Sequence, residues 1–254
     1  MAEQSMFDTL ASAYAQGRPA YPAELFDRLQ ELAGRALAGA RVADVGAGTG
    51  ISSRQLQARG ATVTAVELSE PMLRRLVADS PAVGAVRGSA HALPLRDGSV
   101  DFVTFAQAWH WVDPEPAVPE VLRVLKPGGA LACFWNYPVS DMPWREGYVE
   151  RVKELIGGEP RYGNDSTGFD REAHIDLGSH TPRLSTRVFQ TNWTRTLPVE
   201  QRLVNITSRS YFSTVPAERM AAFLANERAV LLEYFPDGTV HEEYTAWLGV
   251  VRKP

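Results

Sequence analysis

Leu25, Leu29, Leu32 and Ala36 fall on one helical face over residues 22–38, behind a Pro22 suited to a first helical turn. Short apolar runs then alternate with helical stretches. The pattern predicts strands at about 41–46, 62–67, 83–87 and 100–106, with helices at 50–58 and 69–79. Val118, Val121, Leu122 and Leu125 recur at i, i+3, i+4 and i+7, which predicts a helix closed by Pro127-Gly128-Gly129 before a fifth strand. Such alternation argues for a parallel sheet covered on both faces. After Asn136 the pattern changes. A helical stretch at about 143–157 leads into a polar, weakly periodic segment at 158–182, which is either a substrate cap or a surface loop. Residues 185–195 and 239–251 alternate like the last two strands. Of the two helices between them, the second opens at Pro216 and sets Met220, Leu224, Leu231 and Phe235 in a stripe suited to a core.

Chemistry concentrates where the first strand ends. Val42-Ala43-Asp44-Val45 runs into Gly46-Ala47-Gly48-Thr49-Gly50, and Val63-Thr64-Ala65-Val66 ends in Glu67. Glycine lets the backbone turn sharply and lets a ligand approach without meeting a Cβ. A carboxylate at the tip of the second strand can accept hydrogen bonds from both hydroxyls of a ribose. A cofactor with an adenosine-like end follows. The dinucleotide fingerprint is G-x-G-x-x-G, but here the pattern is G-x-G-x-G and Ile51 stands where the third glycine would be. Asp44 also suits the ammonium of a methionyl group better than a pyrophosphate. S-adenosylmethionine therefore fits better than NAD.

The chain resembles the class I S-adenosylmethionine-dependent methyltransferases, and the resemblance extends beyond this turn. It is carried by Leu68–Leu73, Gly88–Leu95, Ser99–Thr104, Ala106–Asp113 and Leu122–Gly129, in the right order over residues 42–135. The segment Phe7–Pro22 and the later Trp109-His110-Trp111 are similar to a small-molecule subgroup that includes trans-aconitate methyltransferase-like proteins. The resemblance implies a Rossmann-like seven-stranded, mostly parallel sheet whose final strand is antiparallel. It implies one domain, with an N-terminal helical lid at 1–40, a cofactor core at 41–137, and the remaining core with cap elements at 138–254. S-adenosyl-L-methionine is the implied cofactor and S-adenosyl-L-homocysteine the product.

Each candidate residue has a role and a plainer alternative. Gly46, Ala47, Gly48 and Gly50 form the cofactor turn, with Asp44 toward the methionyl amine, directly or through water, and Glu67 toward the ribose. Leu68 and Met72 either sandwich the adenine or belong to ordinary helix–sheet core. At Ser89, where many relatives carry aspartate, only a hydroxyl is offered to the adenine, with the Ala90 backbone and His91 as substitutes. Tyr14 and Arg18 lie in the lid-like segment; Tyr14 is suited to face the sulfonium or substrate, and Arg18 to pair with the methionyl carboxylate. Gln107 and Ala108 follow strand four at its carboxyl end, where open α/β sheets place ligands. His110 is either a general base or a packing residue that positions its loop. Trp109, Trp111, Trp135, Tyr137 and Trp144 either line an aromatic substrate pocket or pack in the core. Arg161, Arg195 and Arg209 can bind a substrate carboxylate or stand in solvent.

Bulk properties narrow the reading. The chain has 254 residues, 44% of them hydrophobic, enough for one sizeable core. Its net charge is −4 and its pI about 5.8, without a lysine- or arginine-rich run, which argues against a nucleic-acid substrate. No apolar stretch is long enough to span a bilayer and no export segment opens the chain, so a soluble cytoplasmic protein is expected. The lone Cys133 cannot form an internal disulfide, and the five histidines show no metal-ligand spacing. The sequence thus reads as an enzyme that moves a methyl group to O, N or C of a small molecule. The alternatives are a non-catalytic S-adenosylmethionine-binding regulatory protein and a nicotinamide-dependent oxidoreductase. Oligomeric state and acceptor identity are not encoded in these patterns.

Overall fold

The structure is a computed structural model that describes residues 17–139, 141–158, 184–212 and 214–254. Seven strands form one sheet in the order β3-β2-β1-β4-β5-β7-β6: β1 (Arg41–Val45), β2 (Thr62–Glu67), β3 (Gly84–Arg87), β4 (Val100–Ala106), β5 (Leu125–Pro138), β6 (Arg187–Pro198) and β7 (Thr239–Arg252). The pairs β2–β3, β1–β2, β1–β4 and β4–β5 are parallel. Along β5 from Gly129 to Val139 the backbone partner on the last strand falls from Lys253 to Glu243, so β7 runs antiparallel to β5. The single antiparallel final strand is thereby borne out. Successive crossovers step from β1 outward to β3 and then return to the other side of β1 for β4, so the strand order reverses between β1 and β4. In open α/β sheets, ligands bind at this switch, outside the carboxyl ends of the strands.

The helices are α1 (Ala23–Ala33), α2 (Ile51–Gln57), α3 (Glu70–Asp79), α4 (Pro114–Val124), α5 (Tyr148–Ile156), α6 (Val199–Thr207) and α7 (Ala217–Tyr234). Leu25 and Leu29 of the predicted stripe are fully buried, together with Phe26 and Ala33, and Gly34 ends α1 in the left-handed conformation. The fourth helix ends earlier than its periodicity predicts. Leu125 is already in β5, opposite Val100. Lys126 precedes Pro127 and is driven to extended backbone, so the helix must stop before it even though Leu125 remains buried. On α7, Phe223 and Leu231 are buried, while Met220, Leu224 and Phe235 pack against the same cluster from partly buried positions.

The chain divides into two compact units. One comprises residues 20–136, 170–191 and 246–254 and holds β1–β4 with α1–α4. Its centre is the run of buried positions in β1, β4 and β5, closed on one side by Tyr21, Phe26 and Phe134 in edge-on contact. Its strand starts are tied by Asp101, which accepts the Arg41 N–H at 2.8 Å and pairs with Lys126 at 3.0 Å and with Arg35. Burial works against that carboxyl, but these partners hold it below the usual range. The other unit comprises residues 1–19, 137–169 and 192–245. It has its own core around Trp144, Tyr148, Leu203, Phe212, Phe223 and Leu231.

Candidate cofactor site

The turn after β1 is built for close approach. Gly46, Gly48 and Gly50 all have positive φ, at 66°, 56° and 83°. A Cβ on Gly46 would meet the Cβ of Ala108 at 2.6 Å, and one on Gly50 would meet Leu76 at 2.9 Å. A side chain at either place would therefore be strained and overpacked. Gly46 and Ala47 donate to the carbonyl of Val66, which draws the turn against the end of β2. The Thr49 hydroxyl is buried in this turn without a hydrogen-bond partner.

Glu67 stands at that end of β2. One carboxylate oxygen accepts the Gly48 N–H at 2.8 Å and the other accepts the Ser69 N–H at 2.7 Å. Each oxygen keeps a further lone pair, so the group is held rigid and can still accept from two adjacent hydroxyls. Leu68 follows directly and is 62% exposed, which removes it from the core and leaves an apolar face beside the acid. Met72 is half-buried one turn along α3. The loop carrying Ser89, Ala90 and His91 continues from β3; the Ser89 hydroxyl accepts the His91 N–H at 3.2 Å, and Ala90 is buried while His91 is exposed. Arg123 pins the far end of this loop, donating to the carbonyls of Leu95 at 2.9 Å and Leu93 at 3.0 Å, while Glu120 accepts the Leu93 N–H.

Asp44 lies beneath the turn with no exposed surface. Its two oxygens accept from the hydroxyls of Ser53 at 2.6 Å and Thr104 at 2.8 Å, so one carboxylate latches β1 to α2 and to β4. Burial raises its pKa to about 6, against the lowering effect of these hydroxyls.

At the end of β4, Gln107 is the only described non-glycine residue with positive φ, at 56°. Its side chain donates to the Asn136 carbonyl at 2.9 Å, and Asn136 donates to the Ala20 carbonyl at 3.0 Å. This sparsely populated conformation, at the strand-order switch point, is held by the two hydrogen bonds. His110 sits in the short helical turn Trp109–Trp111, and its Nδ1 accepts the indole N–H of the fully buried Trp135 at 3.2 Å. An indole only donates, so the neutral imidazole carries its proton on Nε2.

The five aromatic candidates have different surroundings. Trp109 packs edge-on against Phe105 with ring centroids 4.9 Å apart, Trp135 is core, and Trp111 is 57% exposed. Tyr137 and Trp144 belong to the other compact unit, as does Arg18. Tyr14 and residues 159–182 of the cap-like segment lie outside the described residues, as does Arg161. Sequence reading missed Ser53, nine residues after Asp44, and Thr104 and Asn136, which secure the site from distant positions; no motif signalled them. Among the described residues no cluster of histidine, cysteine and acids could hold a metal ion, and no helix is long and apolar enough to cross a membrane.

A parallel sheet with a glycine turn at its switch point and a fixed acid on the adjacent strand tip is the architecture of the Rossmann-like class. The comparisons are specific. Residues 43–133 match the family model described as a methyltransferase domain. An uncharacterized methyltransferase of Mycobacterium tuberculosis is 38% identical, the match covering 89% of this chain and 85% of the relative. An uncharacterized methyltransferase-like protein of Schizosaccharomyces pombe is 33% identical over 86% of this chain and 84% of its own. Among solved structures, one assigned as a type II methyltransferase from Anaeromyxobacter dehalogenans superposes with a TM-score of 0.67 at 22% identity, covering 92% of this chain and 97% of that one. The chain belongs to the class I methyltransferases, enzymes that take their methyl group from S-adenosylmethionine, and the oxidoreductase and non-catalytic alternatives are not favoured.

Proposed function

We propose that the chain binds S-adenosyl-L-methionine on the Gly46–Gly50 turn and Glu67 and methylates a small organic acceptor. The observation that carries this reading is the Glu67 carboxylate, fixed by Gly48 and Ser69 N–H groups with lone pairs to spare for a ribose. When bound, the cofactor supplies a methyl group on a sulfonium for in-line displacement, and S-adenosyl-L-homocysteine is released. The chain's residues hold and position. Gly46 and Gly48 admit the ligand backbone-close, Leu68 and Met72 cover the adenine, and Ser89, Ala90 and His91 edge it. Gln107 and Ala108 bound the crevice from β4. Asp44 holds the turn through the Ser53 and Thr104 hydroxyls, and each of its oxygens keeps a lone pair for the methionyl amine, directly or through water. By their resemblance to the trans-aconitate-like subgroup, Tyr14 and Arg18 are the further residues assigned to the cofactor in this reading. The acidic pI and lack of a basic run favour a small molecule over nucleic acid.

In this reading His110 is a donor. With Nδ1 committed to Trp135, its proton sits on Nε2, which suits hydrogen bonding to the acceptor rather than removal of a proton from it. His110→Gln, which retains an N–H at that reach, is expected to keep most activity. His110→Ala is expected to lose about tenfold in kcat, the worth of one hydrogen bond of about 1.4 kcal/mol. Equal loss in both variants would restore the base, and full activity of the alanine variant would leave His110 only a packing role. The overall reading is tested by calorimetric titration with S-adenosylmethionine, S-adenosylhomocysteine and NAD. Binding of the first two alone is expected; binding of NAD alone would reject it.

A further inference from the structure

The unit that holds Trp144 and α6 contains a buried charge imbalance. Arg202 is 1% exposed and its Nε lies 3.2 Å from one oxygen of Glu242. Arg195 donates from its Nε to the other oxygen at 2.6 Å, and the Tyr244 hydroxyl donates to the same atom at 2.8 Å. Burial opposes ionisation of Glu242, yet the two arginines and the tyrosine hold its carboxyl below the usual range. Two guanidiniums thus share one carboxylate, and among the described residues neither is paired with a second acid. An unbalanced cation in a dry interior is strongly destabilising unless an anion joins it.

The surrounding polar atoms have the complementary deficit. Asn205 lies three residues after Arg202 on α6 and therefore on the same face. It is 1% exposed, and both atoms of its carboxamide are without a hydrogen-bond partner. The Trp144 indole N–H is likewise buried and unpartnered, and the Trp144 and Tyr148 rings each lie 5.6 Å from the guanidinium carbon of Arg202. Buried donors of this kind are normally satisfied. A cation with aromatic walls and two waiting N–H donors is the environment of a bound carboxylate.

We infer that this unit binds an organic carboxylate on Arg202, Asn205 and Trp144. The single surplus charge matches one carboxylate better than a phosphate dianion, and the aromatic walls suit an apolar body. The site does not rest on the methyltransferase reading. Calorimetry on the full chain with acetate and phenylacetate, their amides, and inorganic phosphate tests it, with S-adenosylhomocysteine titrated on the same sample. At least one acid is expected to bind saturably and at least tenfold more tightly than its amide and than phosphate. Arg202→Met is expected to weaken that binding at least tenfold while leaving S-adenosylhomocysteine affinity unchanged. Asn205→Asp guards against misfolding of the first variant. It places a carboxylate beside Arg202, and is expected to raise Tm by about 3 °C and to abolish acid binding. Absence of acid binding, an amide or phosphate that binds as well, or acid affinity that survives either substitution overturns the site. Loss of S-adenosylhomocysteine binding with acid binding intact would instead reject the cofactor reading.

Discussion

Glu67→Ala is expected to raise the dissociation constant for S-adenosylhomocysteine at least tenfold and by about a hundredfold if both ribose contacts are made. The carboxylate does two things at once. It accepts the Gly48 and Ser69 N–H groups, which set the turn, and it presents its remaining lone pairs to the ligand. A hydrogen bond to a charged acceptor contributes about 1.5–3 kcal/mol, and about 3 kcal/mol corresponds to a hundredfold in affinity. Glu67→Gln separates the two roles. The amide oxygen can still serve one backbone N–H, but its NH2 faces the other, so the turn loses an acceptor while side-chain volume is kept. Affinity between that of the parent and the alanine variant is expected. Calorimetry reads both variants, and parental affinity in Glu67→Ala would remove the ribose assignment, leaving this acid only its part in shaping the turn.

The turn was legible in the sequence because every part of it is local. Strand, glycines, helix and acid follow within one βαβ unit, and each residue's chemistry constrains its neighbours. The place where α4 ends was legible too, in Pro127, but helical periodicity read past it because Leu125 stays buried whether it belongs to a helix or a strand. The supports of the site could not be read. Thr104 reaches Asp44 across 60 residues and Asn136 reaches Ala20 across 116, and one serine, threonine or asparagine looks like another until the sheet brings the strands together. Aromatic residues misled by adjacency: Trp109, His110 and Trp111 are neighbours in sequence, yet Trp109 is core and Trp111 is exposed. The reverse holds for Arg195, Arg202 and Glu242. Arg195 alone read as an anion-binding candidate, and Arg202 and Glu242 gave no signal until β6, α6 and β7 brought the three together.

Asp44→Asn is expected to stabilise the protein at pH 7–8 and to remove a pH dependence that the parent shows below that range. Burial lifts the Asp44 pKa from 3.8 to about 6, so between these values the folded chain holds a proton that the unfolded chain has released. Stability from this group is therefore fully present below about pH 4 and is lost as pH rises through about 6. Above that the ionised, buried carboxylate destabilises the fold by about 3 kcal/mol relative to a neutral side chain. Asparagine keeps the size, and because the Ser53 and Thr104 hydroxyls can both donate and accept, it can bond to both. Denaturant unfolding at pH 4.5 and 7.5 measures the difference: the variant is expected to gain about 2–3 kcal/mol over the parent at the higher pH and much less at the lower. The same sample reports on the cofactor. If Asp44 serves only as a latch, S-adenosylhomocysteine affinity survives the substitution; a tenfold loss together with greater stability would show that the turn tolerates a buried charge because the ligand's ammonium uses it. Equal stability of parent and variant at both pH values would mean that the hydroxyl bonds offset the burial of the Asp44 carboxylate in full.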